Sequence, residues 1–203
     1  MSAATKPKLG FWMNLPDGWI PLDPSSERVP DQVARILDSR ADTDPHLSAH
    51  RGNVERQLTA ALKAARTRDL VFGAILATFT RDGFPIAASL AVTRHTAPTA
   101  AEAGAILEGL GTDGAKANTL LDTPFAGTVV RSAYRERVAA SDAPHAESTE
   151  VAVFQYFLPT PDRRRVLVAT GATPTLPMAD VFGTLFDAMV STFQFVNETD
   201  GDG

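Results

Sequence analysis

Cysteine is absent from the sequence. That excludes disulfide scaffolds, cysteine nucleophiles and thiolate metal sites. Long apolar runs are absent too: no segment reaches the ~18–20 apolar residues that a membrane helix needs. The first apolar stretch, Phe11 to Leu22, is broken by Asn14, Pro16, Asp17 and Gly18. Such a stretch reads neither as a signal peptide nor as a membrane span, so a cytoplasmic location is expected. An excess of positive charge is also missing. The formal net charge is −5 and the pI is near 5.3, which speaks against nucleic acid as the main partner.

What is present points to a packed domain. The chain has 203 residues, of which 44% are hydrophobic, with 14 Gly and 14 Pro. A chain of this size buries roughly 70% of its unfolded surface, so it needs no staples to hold a core. We read a single domain over residues 11–196, a flexible N-terminus over 1–10 and a disordered acidic tail over 197–203.

Periodicity sets out the elements. Phe11, Met13 and Leu15 alternate with Trp12 and Asn14, and Leu15-Pro16-Asp17-Gly18 reads as a turn. Trp19 to Leu22 then reads as a returning strand, giving a short aromatic hairpin. Residues 24–69 read as a helical insertion. Val33, Ile36 and Leu37 fall at helical spacing; Asp44-Pro45 offers a cap and an N1 proline for a second, longer helix. Val71 to Thr80 is apolar on both faces, as a central strand covered on both sides would be. After Arg81-Asp82-Gly83, residues 84–93 alternate between a large face (Phe84, Ile86, Leu90, Val92) and a small one (Ala87, Ser89, Ala91).

Thr99 and Glu102 open a predicted helix that Gly109 and Gly111 end. Residues 127–138, 151–158 and 165–173 read as a three-stranded meander. The closing helix carries Val181, Phe182, Leu185, Phe186, Met189, Val190 and Phe193. Hairpins and meanders demand antiparallel pairing. The expected fold is α+β: a central antiparallel sheet of about six to seven strands with helices on both faces.

On these elements the chain resembles the Mog1/PsbP-like fold family. The resemblance rests on the aromatic opening strand with Leu15-Pro16-Asp17-Gly18-Trp19, the later hairpin, the meander ending at 151–173 and the aromatic ridge of the last helix. It spans about residues 11–195, and departs from the family by the 24–69 insertion and by the lack of a lipoprotein signal. Members include nuclear-transport cofactors, photosystem subunits, mycobacterial lipoproteins and DcrB-like chaperones that serve secreted toxins. The resemblance implies partner binding, and it supplies no catalytic residue, metal or cofactor.

Several constellations have plainer readings. His46 and His50 stand at i, i+4, with Asp42 or Asp44 as a third ligand, but the HExxH pattern is missing; a solvated helix start explains them. Gly109 to Gly114 matches GxGxxG, yet a helix rather than a strand precedes it. Neither GxSxG nor GK[ST] occurs. Asn197-Glu198-Thr199 is a formal sequon that means nothing without secretion. Arg131, Arg135 and Arg137 share a strand face and, with Arg163, Arg164 and Arg165, suggest a basic patch for an anionic partner surface.

The expected function is therefore non-catalytic: an accessory, adaptor or chaperone that binds a protein, serving a specialised secretion system or its effectors. The alternatives are a structural subunit of a larger secretion or phage-like assembly, and a small-molecule enzyme without a recognisable motif. No catalytic, metal or cofactor residue is assigned. Candidate partner-binding residues are Trp12, Trp19, Arg131, Arg135, Arg137, Phe154 and Tyr156. The partner is expected to be a protein, with no nucleic acid and no membrane insertion; a homodimer stays open.

Overall fold

The computed structural model of the chain describes residues 8–23, 28–42, 44–64, 70–96, 117–139, 148–161 and 165–198. The predicted helix from Thr99, the glycine motif at 109–114, His145, Arg163 and Arg164 lie outside the described residues.

The strands are β1 (Lys8–Trp12), β2 (Ile20–Leu22), β3 (Leu70–Phe79), β4 (Pro85–Thr96), β5 (Ala117–Thr123), β6 (Gly127–Ala139), β7 (Ser148–Pro159), β8 (Arg165–Thr173) and β9 (Gln194–Glu198). The helices are α1 (Val29–Ala41), α2 (Pro45–Ala64) and α3 (Ala179–Ser191). Seven strands form one antiparallel sheet in the order β2-β3-β4-β8-β7-β6-β5, while β1 and β9 pair as a separate ribbon. The fold is α+β, and none of the described helices is long and apolar enough to cross a membrane.

The opening hairpin expected from the sequence does not form. A turn is present, but Trp19 N–H donates to the Pro16 carbonyl (3.4 Å), so Pro16 stands one place earlier in the turn than expected. Gly18 supplies the left-handed residue at φ 87°. The strands on either side then part company. β2 joins the main sheet against β3, whereas β1 runs to the far end of the chain, with Phe11 opposite Phe195. Phe11 stacks on Phe193 (4.9 Å between centroids) and meets Phe72 edge-on. That aromatic contact with distant residues outweighs a local pairing across a four-residue turn. β1 begins at Lys8 and β9 reaches Glu198, so both extend into the stretches expected to be tails.

Strand alternation sorts the core into two faces. On one face lie Leu22, Ile75, Ala77 and Ala87, packed under Val33, Leu37, Leu47, Val54, Leu58 and Leu62 of the two helices from the 24–69 region. Farther along, Ala60, Ala61 and Ala64 of α2 sit on Val151, Val153 and Ala172. Alanine against valine brings α2 close to the sheet, and the small face of β4 serves the same end. Asp44 caps α2: its Oδ1 accepts the N–H groups of His46 (2.9 Å) and Leu47 (3.2 Å). We expect Asp44→Ala to lower stability by about 1 kcal/mol in urea unfolding, the usual worth of such a cap.

The opposite face carries Ile86, Leu90, Val92, Phe154, Tyr156, Leu158 and Leu167, covered by Phe182, Phe186, Met189, Val190 and Phe193. Each such side chain stabilises the fold by about 1.5–3 kcal/mol when fully buried. Two glycines let α3 come this near. An added Cβ at Gly171 of β8 would lie 2.5 Å from the Phe186 ring, and one at Gly183 of α3 would lie 2.9 Å from the Phe154 ring.

The meander has four strands rather than three. β5 precedes β6 and pairs with it from Ala117↔Ala133 to Thr123↔Gly127. Its connection is tied by Thr123 Oγ1, which donates to the Gly127 carbonyl (2.7 Å) and accepts the Ala126 N–H (3.1 Å).

Candidate functional site

The face under α3 holds four of the expected binding residues, and the structure uses three of them internally. Tyr156 is fully buried, Phe154 is buried, and Trp19 is buried edge-on against Phe186 at 6.0 Å. They are core rather than a docking surface: strand alternation turns Phe154 and Tyr156 toward α3, and Trp19, just before β2, packs on Phe186 of that helix.

Arg131 sits in a clamp between sheet and helix. Its Nε donates to Asp187 Oδ1 at 2.7 Å, and the Tyr156 hydroxyl donates to the same oxygen at 2.6 Å. The guanidinium also lies over the Phe154 ring, 5.3 Å from its centroid. Burial pushes the Tyr156 pKa up, and the Asp187 carboxylate pushes it further; Arg131 opposes both only in part. A buried hydroxyl whose proton is committed to a carboxylate is no base and no nucleophile at neutral pH. The clamp is structural, and it locks α3 to β6 and β7.

Among the described residues, the β6 arginines of the expected basic patch have acidic neighbours. Arg135 Nη1 stands 3.7 Å from Glu150 Oε1, and Arg137 lies opposite Glu150 in the β6–β7 register. With Asp187 on Arg131, acidic groups stand beside all three arginines of the β6 row. Arg165 is exposed elsewhere and shares a crevice with Arg94, Leu167 and Phe11. His46 and His50 rest over the ring of Phe79, with centroids 5.9 and 6.0 Å away. Stacking on an aromatic at the β3–β4 turn accounts for their i, i+4 spacing.

The remaining candidate, Trp12, is 48% exposed at the end of β1. Just after it the chain forms one wall of an open groove. Asn14, Leu15, Pro16 and Asp17 face Leu185, Ala188, Met189 and Thr192 of α3 and its cap, around a volume of about 450 Å³. That volume lies in the range of ligand clefts, roughly 300–1,000 Å³. A hydrogen bond joins the two walls: Thr192 Oγ1 accepts the Asn14 N–H (2.9 Å) while donating to the Met189 carbonyl (2.7 Å). Leu15, Leu185 and Met189 give its lining apolar surface, and Asn14, Asp17 and Thr192 give it polar groups.

Sequence reasoning named Trp12 and missed the groove. The missing signal is the β1–β9 pairing, which sends residues 13–18 across the end of α3 instead of through a local hairpin. No family model matches the sequence, and no curated protein matches it.

Proposed function

We propose that the chain is a non-catalytic binding module: an accessory, adaptor or chaperone that holds a short segment of a partner protein in the groove between residues 14–17 and α3. The single observation that carries this reading is the groove itself, open to solvent, lined by both apolar and polar residues, and preceded by an exposed tryptophan. Interface energy concentrates in such aromatic anchors beside apolar pockets. The resemblance to the Mog1/PsbP-like family supports the same class of function and carries the secretion-system client with it as the proposed pathway. The clamp around Asp187 supports a rigid α3, so the groove wall is preformed rather than assembled on binding.

The test is a tagged pull-down from the native host, run in parallel with Ala188→Arg and Trp12→Ala. Ala188 is exposed, so arginine there fills the groove without entering the core. One stoichiometric protein is expected with the native chain. Ala188→Arg is expected to lose it with an unchanged melting temperature. Trp12→Ala is expected to weaken it about thirty-fold, as the loss of a 2 kcal/mol anchor does. A partner held equally well by Ala188→Arg overturns the groove as the site.

A further inference from the structure

The two edges of the main sheet are built differently. β2 is three residues long and contains Pro21, which cannot donate to a new ladder. Both features blunt an edge against pairing. β5 has neither defence. It is seven residues long, Ala-Asn-Thr-Leu-Leu-Asp-Thr, with no proline, no lysine or arginine, and a single charge at Asp122. Among the described residues no strand lies on its outer side.

The side chains on β5 show the same thing. Leu120 is 73% exposed and Phe125, in the turn that follows, is 60% exposed. Leu120 is not an isolated surface leucine. It ends a cross-strand row on the α2 side of the sheet, Leu120↔Val130, Val130↔Phe157 and Phe157↔Val168. Phe157 and Val168 are buried, so the row is apolar core that runs out to solvent at β5. A complement to this edge must offer extended backbone and an apolar side chain opposite Leu120.

We propose that a second copy of the chain supplies it, by antiparallel pairing of β5 with β5 about a two-fold axis at Leu120. The β5 register is self-complementary. Leu120 meets Leu120, Thr119 meets Leu121, and Asp122 meets Asn118 rather than its own mate. Asp122, whose Oδ1 accepts from the Thr128 hydroxyl at 2.6 Å, thus stands opposite a neutral residue, and no like charges are opposed. The parallel alternative in register would set Asp122 beside Asp122. Two-fold pairing is isologous and closed, so it ends at a dimer with one continuous sheet. Every second residue of β5 turns its N–H and C=O outward, and the pairing satisfies them. A single strand edge lies toward the small end of protein interfaces, below about 1,200 Å², so a micromolar dimer is expected.

Leu120→Cys tests the geometry. The native chain has no cysteine, so any crosslink is site-specific. Directly opposed residues lie about 4.5–5.5 Å apart at Cα, inside the range of a disulfide. Under mild oxidation, Leu120→Cys is expected to form a dimer that reducing agent releases. Phe84→Cys, which is also exposed (50%) and lies at the β3–β4 turn, is expected to stay uncrosslinked. Sedimentation of the native chain from 1 to 200 μM is expected to move from 21.6 kDa toward twice that mass, at concentrations bracketing a micromolar constant. Leu120→Lys is expected to stay monomeric throughout with an unchanged circular dichroism spectrum. A native monomer over the whole range with no crosslink at 120 overturns the proposal and leaves the edge to a strand of another protein. A dimer that survives Leu120→Lys overturns it as well, since the contact then lies elsewhere.

Discussion

Gly171→Ala is expected to destabilise the chain by about 3 kcal/mol, the upper end of the cost of forcing one methyl group into a packed core. Gly171 lies on β8 between Leu90 of β4 and Phe154 of β7. Its backbone φ is not left-handed, so the demand is for space alone. A Cβ there would meet Cγ, Cδ1 and Cδ2 of Phe186 at 2.5–2.6 Å. Carbon atoms in contact want about 3.5–4.0 Å, so the misfit is close to 1 Å. The ring has nowhere to turn. Trp19, Phe154 and Phe182 surround it with centroids 5.7–6.0 Å away, and no part of it reaches solvent. The helix must lift instead, and α3 is one wall of the groove. Urea unfolding checks the energy; the partner pull-down checks the geometry, and loss of binding is expected along with loss of stability. Phe186→Leu should relieve part of the clash. The double variant is therefore expected to be more stable than the sum of the two single losses by about 1 kcal/mol or more. Strict additivity would show that the methyl group is absorbed elsewhere.

Much of this packing was legible in the sequence. The wide apolar arc of the last helix, the two-faced strand at 71–80 and the alternation at 84–93 each specify which side chains go inward. The antiparallel α+β sandwich followed from them. Asp44-Pro45 announced the start of α2 because capping is local chemistry. What escaped reading was long-range pairing. The turn at 16–19 looked like half of a hairpin, and nothing within residues 11–22 says that Phe11 will find Phe193 and Phe195. β5 escaped because Ala117–Thr123 holds only two large apolar residues, adjacent to each other, and one of them points to solvent. Gly171 carries no signal in the sequence, because a glycine within a strand is silent until the ring above it is placed. The site followed the same rule. Trp12 stood out in the sequence only as a tryptophan, and the groove needs the end of α3, which lies far away in sequence. The arginines at 131, 135 and 137 share one face in the sequence, while their acidic neighbours, Glu150 of β7 and Asp187 of α3, are brought beside them only by the fold.

Asp187 shows how strongly such a match can matter. Asp187→Ala is expected to cost about 2 kcal/mol, and the loss should come mainly from Tyr156 rather than from Arg131. Arg131 keeps a fifth of its side chain in solvent and can turn its charge outward. Tyr156 is wholly buried, so its hydroxyl is left without an acceptor, a desolvation cost of about 1–3 kcal/mol. Adding Tyr156→Phe to Asp187→Ala should therefore restore about 1 kcal/mol, because the orphaned donor is removed with its oxygen. A double variant no better than Asp187→Ala alone would assign the cost to Arg131. Alkaline pH gives an independent reading of the same contact. The folded-state pKa of Tyr156 is raised above the ordinary tyrosine value. The folded chain then keeps its proton where the unfolded chain loses it. Stability from this group is full below about pH 10 and falls above it, by about 1.4 kcal/mol at pH 11. All other titratable groups are common to the two chains compared. Tyr156→Phe removes the titrating group, so its stability curve is expected to run flatter than that of the native chain between pH 9 and 11. Parallel curves would mean that the hydroxyl ionises as easily inside the fold as outside, which a hydrogen bond of 2.6 Å to a carboxylate forbids.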